Sequence, residues 1–376
     1  MNILWLPHAP LHTGRTRTDH LVERLADRHH ITMVSFRIHP PSRPWLYLCD
    51  LARHRSRRGK PYDELATWRL PRALALDGWL LNRAIRHELS RRPYDVLVVA
   101  PAPYVTGYLD FASLRTKGLR IVCDYLDGGD WGLHRDDTAF ERLYVQSADA
   151  VICVSKGLLR QALSVNPRCH YVPNGVELAR YRSFRAAHTA RECKAKLGID
   201  PDAFVVSIIG MTFSRSLYFL DAVISLARRG KNLILLLVGA SPLLAEIERR
   251  TGEWQRVVRA VGPVPYTEIM PYFMATDLGL SPVDDHPYYH FQSPLKIFEY
   301  GAMGKPVLAS PKVEEVAETG LSHLQFCDAD ADSVERAIET MMQDRQMPFE
   351  PDLEAYDWSR LAGKVETILS GVVGAT

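Results

Sequence analysis

The amino-acid sequence predicts an α/β protein made of two doubly wound halves, each a parallel sheet lying between helices. Three observations carry the prediction. Short, nearly continuous apolar runs recur along the chain, as in NILWL at 2–6, DVLVVA at 95–100, AVICVS at 150–155 and AFVVSIIG at 203–210, the composition of strands buried on both faces. Segments with a helical apolar stripe alternate with them, and that alternation is the mark of a parallel sheet. At 376 residues the chain is also too long for one ordinary core, so two domains of roughly 150–190 residues are expected.

Composition narrows the class. Hydrophobic residues make up 47% of the chain and charged residues 24%, with a formal net charge of +2, which suits a soluble globular protein and predicts no nucleic-acid partner. The six cysteines (Cys49, Cys123, Cys153, Cys169, Cys193, Cys327) are scattered without a C-x-x-C or a nearby histidine pair. That argues against zinc and a disulfide framework and for a reducing cytoplasm. MNILWLPHAP enters a strand-like run without the basic start of a signal peptide. No window reaches the ~18 apolar residues that cross a bilayer.

Taken in order, 2–6 reads as a first buried strand, 7–17 as a loop with one glycine, Gly14, and 18–28 as a helix with Leu21, Val22 and Leu25 on one face; 31–36 is the second strand. This is the β-loop-α-β unit of a doubly wound sheet. A lone glycine is a weak phosphate signal, since a dinucleotide fingerprint needs three.

Residues 40–92 differ in character and read as an insertion. They hold twelve Lys or Arg against five Asp or Glu, with Arg53-His54-Arg55-Ser56-Arg57-Arg58-Gly59-Lys60 at the centre and Trp45, Tyr47, Trp68 and Trp79 around it. Basic residues among aromatics suit an anionic membrane surface or a lipid-diphosphate acceptor, at about 1 kcal/mol per basic residue near the surface. A solvated helical insertion accounts for the same composition.

The alternation resumes with the strand at 95–100, a proline break at 101–103, a helix at 104–114 and a strand at 119–123. The last of these delivers DYLDGGDW at 124–131 to its carboxyl end, where open α/β sheets place their sites. Asp124 and Asp127, with Asp130, are therefore the acid/base candidates of the first half; a polar turn with an Asx cap is the plainer alternative. A helix at 140–147 and the strand at 150–155 follow. Val172-Pro173-Asn174-Gly175-Val176 then forms a turn, as an Asn-Gly pair tolerates positive φ.

Residues 180–203 are polar and basic and read as a linker with a first short helix. A second series begins at 203–210: a helix at 217–228, a strand at 233–239, a helix at 243–250, a strand at 257–261, a helix at 268–275 and a strand at 278–281. SPLKIFEYGAMGKPVLAS, 293–310, closes it. Ser293-Pro294 has the composition of a hydroxyl cap with proline at the first helical position. Lys296 and Glu299 lie three apart on the helix that follows, and 306–310 reads as a strand. A helix start at the mouth of a parallel sheet offers amide N–H groups and a positive dipole end to an anion. Finally, Tyr356-Asp357-Trp358-Ser359 heads an amphipathic helix running to about 369.

The ordered set ADAVICVS, VPNGVE, GPVPYTEIMPYFMATDLGLSP and SPLKIFEYGAMGKPVLAS resembles the GT-B retaining glycosyltransferases, especially glycosyltransferase family 4. The resemblance covers nearly the whole chain except 40–92. It implies two Rossmann-like domains facing each other across a cleft. They are an acceptor-side domain at 1–185 and a nucleotide-sugar domain at 186–350, with a C-terminal helix at 351–376 that crosses back to the first. It implies transfer of a sugar from a nucleoside diphosphate-sugar co-substrate to an acceptor hydroxyl with retention and without a metal. The acceptor, the sugar and the donor base stay open; the basic and aromatic residues of 40–92 suit a lipid-linked or membrane-associated acceptor, and the cysteine usage a cytoplasmic enzyme or one peripheral at the inner membrane face.

By the same resemblance Glu299 binds the ribose hydroxyls, and the amides of Leu295 and Lys296 hold the diphosphate with Lys296, Ser293 and Arg215. Gly14 lets the backbone approach the donor or acceptor, and Asp124 or Asp127 orients the acceptor or stabilises the cationic sugar. Two departures stand out. The first glutamate of the family pair falls on Phe291, with Asp284, Asp285 and His290 as the polar groups nearby in sequence, and the usual arginine of the diphosphate loop falls on Met211. They leave open a sugar-nucleotide-binding protein without transferase activity and a nucleotide-sugar 2-epimerase of the same fold.

Overall fold

The structure, a computed structural model, describes residues 1–7, 15–37, 55–56, 61–68, 74–101, 109–115, 118–126, 139–210, 217–241, 243–252, 255–281, 287–344 and 349–374. The chain divides into two compact units: Met1–Pro173 with Trp358–Thr376, and Asn174–Asp357.

The first unit is built on strands β1 (Asn2–Leu6), β2 (His30–Arg37), β3 (Arg55–Ser56), β4 (Asp63–Trp68), β5 (Val96–Val99), β6 (Arg120–Tyr125), β7 (Ala150–Cys153) and β8 (Cys169–Tyr171). They lie in the order β3-β4-β2-β1-β5-β6-β7-β8. All pairings are parallel except that of β3, which runs antiparallel to β4 at the edge. Leu4, Leu6, Leu97, Val99 and Ile121 form a buried core with Leu81 and Ile85 of the helix Leu74–Arg91. The strand order reverses between β1 and β5, the topological switch point at whose carboxyl side such sheets bind ligands.

Two expectations change here. The stretch 40–92 is not a plain insertion, because Asp63–Trp68 pairs with β2 from Thr32↔Asp63 to Arg37↔Trp68. Its buried acidic start hides it from a hydrophobicity reading; Asp63 is held by Arg92 Nη1 at 3.2 Å. Of the basic and aromatic members, Trp79 is 56% exposed with the Arg83 guanidinium 5.6 Å from its ring centre, and most of the basic cluster lies outside the described residues. Strand β6 also runs on to Tyr125, so Asp124 sits within the strand, paired with Ile152 of β7, rather than in the loop beyond it.

The second unit carries β9 (Phe204–Ile209), β10 (Leu233–Val238), β11 (Val258–Gly262), β12 (Leu278–Ser281), β13 (Val307–Ala309) and β14 (Leu324–Phe326), ordered β11-β10-β9-β12-β13-β14 and all parallel. Its switch point lies between β9 and β12. Residues 180–203, expected as a linker with a first short helix, hold the short helix Ala190–Lys196, and the part expected as linker belongs to a second helix, Leu178–Ala187. Their Leu178, Tyr181 and Cys193 are buried in the core of this unit, which is why the division falls at Pro173/Asn174 rather than at 185. The Asp357 carboxylate accepts from the Leu178 N–H at 3.2 Å and so caps the first of these helices, where a negative charge is favoured.

The last helix, Trp358–Gly374, belongs to the first unit. Trp358, Leu361, Val365 and Leu369 are buried, and the Trp358 ring stacks on His20 at 4.9 Å. Among the described residues no helix is long and apolar enough to cross a membrane.

Candidate functional site

In the second unit the helix Leu295–Ala302 leads into β13. A helix between two parallel strands runs against them, so its first turn lies at the carboxyl end of the sheet, with its amide N–H groups directed outward along the axis. Pro294, with φ −69 and ψ 120, is the residue that precedes the helix, and no side chain caps it. The expected Ser293 cap is thereby corrected: with Pro294 extended, Ser293 stands one residue too early for its hydroxyl to reach the first turn. Its Oγ is buried and has no hydrogen-bond partner, while its carbonyl accepts from Asn174 Nδ2 at 2.6 Å.

Lys296 and Glu299 share one side of this helix and are both partly buried. Burial pushes the Glu299 carboxyl up to about 7, against the pull of the Tyr181 hydrogen bond and the Lys296 charge. Burial likewise pulls the Lys296 ammonium down to about 8, with Glu299 opposing. Tyr181 donates to Glu299 Oε1 at 2.9 Å. Lys296 in turn reaches the end of β9: a Cβ placed on Gly210 would lie 3.9 Å from its Cε.

Two further contacts fix this helix. The Tyr300 hydroxyl donates to the Ser207 carbonyl at 3.1 Å and accepts from the Ile209 N–H at 3.1 Å, tying the helix to the end of β9. At the neighbouring strand end Gly239, with φ +130, is held by its N–H to the Gly262 carbonyl at 2.8 Å. A Cβ on Gly239 would overlap the carbonyl oxygen of Gly210, so only glycine lets the two strand ends approach. Gly239→Ala is expected to cost roughly 2–4 kcal/mol, backbone strain plus overlap. Gly230→Ala, also at positive φ but with nothing within 4 Å, should cost only about 1–2 kcal/mol. Urea unfolding of both variants checks this, and equal losses would overturn the close-approach argument.

In the first unit Asp124 is wholly buried, and its Oδ1 accepts from Arg17 Nε at 3.3 Å. Arg17 is the first residue of the helix Arg17–Leu25; its Nη1 donates to the Pro173 carbonyl at 2.6 Å, and its buried Nη2 has no partner. Arg17 escapes the sequence reading, which ends the loop 7–17 on it; its burial and its bond to Asp124 emerge only from the fold. Tyr181 escapes it too, since it falls in the polar and basic stretch 180–203 that reads as linker.

Gly14, Asp127, Met211, Arg215, Asp284 and Asp285 lie outside the described residues. Phe291 is partly buried in the turn after the short helix Pro287–His290. Thus Leu295, Lys296 and Glu299 come together on one helix of the second unit, Ser293 lies just ahead of that helix, and Asp124 belongs to the first unit. Among the described residues no group of three or more His, Cys, Asp or Glu is arranged to hold a metal ion.

A family model described as Glycosyl transferases group 1 matches residues 203–344, and one described as Glycosyltransferase Family 4 matches residues 14–180. No curated protein matches in sequence. Among solved structures, sucrose-phosphate synthase from Thermosynechococcus elongatus superposes with a TM-score of 0.77 at 17% identity, covering 100% of both chains. HepE of Anabaena, in complex with UDP and glucose, gives 0.64 at 16% identity over 100% of this chain and 98% of that one. The UDP-GlcNAc 2-epimerase of Neisseria meningitidis, bound to UDP-GlcNAc, gives 0.63 at 12% identity over 99% and 100%. At these identities the likeness is one of fold.

Proposed function

We propose that this chain, which belongs to the glycosyltransferase family 4-like proteins of GT-B fold, moves a sugar from a nucleoside diphosphate-sugar to an acceptor hydroxyl with retention of configuration. What supports the donor half is the pairing of Lys296 and Glu299 on one helix whose first turn opens at the switch point of the second sheet. Glu299 accepts from the ribose hydroxyls. The first-turn amides at Leu295 and Lys296, with the Lys296 ammonium, hold the diphosphate. HepE has been solved with UDP-glucose, in line with a nucleotide-sugar as donor.

The reaction needs charge on the leaving side more than a nucleophile. As the bond from the anomeric carbon to the diphosphate oxygen breaks, negative charge grows on that oxygen, and Lys296 with Arg215 stabilises it in the manner of a fixed cationic site. The acceptor oxygen bonds the anomeric carbon from the same face, and its proton passes to the leaving phosphate. No metal is then required. Asp124, through Arg17, and Asp127 belong to the acceptor side. The basic and aromatic residues of 40–92, exposed Trp79 among them, suit a lipid-linked acceptor at the cytoplasmic face of a membrane, as in glycolipid or polysaccharide biosynthesis.

Thermal stabilisation by UDP, GDP, dTDP and ADP tests the donor site. One of the four should stand out, adding ~2.7 kcal/mol at 100 times its dissociation constant. No stabilisation by any of them would sink the reading. Phe291, in place of the first family glutamate, favours a second reading as a binding protein without transfer. Release of free nucleotide from a nucleotide-sugar above background rules that reading out.

A further inference from the structure

We propose that Tyr181 is a positioning residue for the ribose-binding carboxylate of Glu299, and so a determinant of ribonucleotide over deoxyribonucleotide binding. The inference rests on the donor-site reading above. Tyr181 is fully buried, and its hydroxyl donates to Glu299 Oε1 at 2.9 Å. Its ring meets the Phe273 ring edge-on at 5.7 Å, and Phe273 in turn meets Tyr300 at 4.9 Å. The donor oxygen is therefore locked by packing, not merely bonded.

The helix that carries Tyr181 is itself pinned beside the site. Asp357 caps it at Leu178. Arg180 donates to the Tyr266 carbonyl at 2.8 Å and lies 4.3 Å over the Tyr266 ring, and the Tyr266 hydroxyl donates to Glu177 at 3.0 Å. A glutamate has three side-chain torsions to immobilise before it can meet two ribose hydroxyls at fixed geometry. Tyr181 holds one carboxylate oxygen and leaves Oε2 as the acceptor for the ribose. A hydrogen bond held in advance lowers the entropy lost on binding.

The bond also selects the charged form of Glu299. Lys296 on its own helix and Arg180 on the neighbouring one favour the carboxylate, Glu177 opposes it, and the Tyr181 hydroxyl adds to the favourable side. The Tyr181 and Tyr266 phenols are both raised by burial and by Glu299, so each remains a donor throughout the neutral range.

Tyr181→Phe in the full chain removes only the hydroxyl. The probes are UDP, GDP and ADP with their 2′-deoxy counterparts, and calorimetry follows the pair that binds best. The variant is expected to bind the ribonucleotide about tenfold more weakly, as befits a lost bond to a charged group, and the deoxy form with a smaller loss. Its acidic limb of binding should move to higher pH. Glu299→Gln should shrink the same ribo/deoxy ratio, and the double variant should bind no more weakly than Glu299→Gln. Equal losses for both nucleotides with an unmoved pH limb would mark Tyr181 as merely structural and overturn the inference. Wild-type binding by Tyr181→Phe beside a weakened Glu299→Gln would overturn it and leave the donor site standing. Wild-type binding by Glu299→Gln would overturn the donor-site reading and this inference with it.

Discussion

Arg17→Met is expected to destabilise the first unit by about 3–5 kcal/mol, because it removes the guanidinium bonded to the wholly buried Asp124 carboxylate and so breaks a buried ion pair from one side. Both side chains are nearly inaccessible, at 4% and 1% exposure, so water cannot replace the lost partner. Urea unfolding at pH 7 measures the loss, and Arg17→Met with Asp124→Leu should recover much of it, since replacing both members of a buried pair is far milder than removing one. Equal stability of Arg17→Met and wild type at pH 7 would refute the pairing.

That pair also shows what the sequence could not disclose. Arg17 and Asp124 are 107 residues apart, and Tyr181 and Glu299 118 apart; no local pattern joins them. Lys296 and Glu299 were legible because helical geometry alone puts residues three apart on one side. The buried strands were legible for a similar reason, as their apolar runs are continuous. Strand β4 is hidden by the acidic pair Asp63-Glu64 at its start, of which Asp63 is met by Arg92 from outside the strand. The helix Leu178–Ala187 looked like linker because four of its ten residues are arginine or serine outside the core, with only Leu178 and Tyr181 buried, and because its cap comes from Asp357, 179 residues further on. The three-residue β14 is too short to carry any periodic signal. The composition of Ser293-Pro294 suggests a cap at Ser293, whereas the extended Pro294 shifts the helix start by one residue; dihedral angles decide such a point and residue types do not.

Affinity for the nucleoside diphosphate is expected to peak between pH 7 and pH 8 and to fall on both sides. Glu299 must be a carboxylate to accept from the ribose hydroxyls, and its pKa is raised to about 7, so binding strengthens as pH rises through that value. Lys296 must be an ammonium to hold the diphosphate, and its pKa is lowered to about 8, so binding weakens as pH rises further. Each limb approaches about tenfold per pH unit if the charged form is obligatory, since one pKa unit corresponds to ~1.36 kcal/mol. Glu299→Gln should flatten the acidic limb and Lys296→Arg the alkaline one, because a guanidinium keeps its charge beyond pH ~12. Glu299→Ala, which removes the ribose acceptor and strips Lys296 of its neighbouring charge, should lower affinity roughly 10- to 150-fold, the range for lost bonds to a charged group. Calorimetric titration from pH 6 to pH 9 decides the matter: a flat profile, or an unaltered one in Glu299→Gln, would remove Glu299 from the donor site. Because burial raises Glu299 and lowers Lys296 at the same helix, the acidic and alkaline limits should draw together in the free protein. Bound diphosphate, adding negative charge beside Lys296, should push the alkaline limit outward, so that the limb seen in affinity reports the free protein's ammonium rather than the complex's.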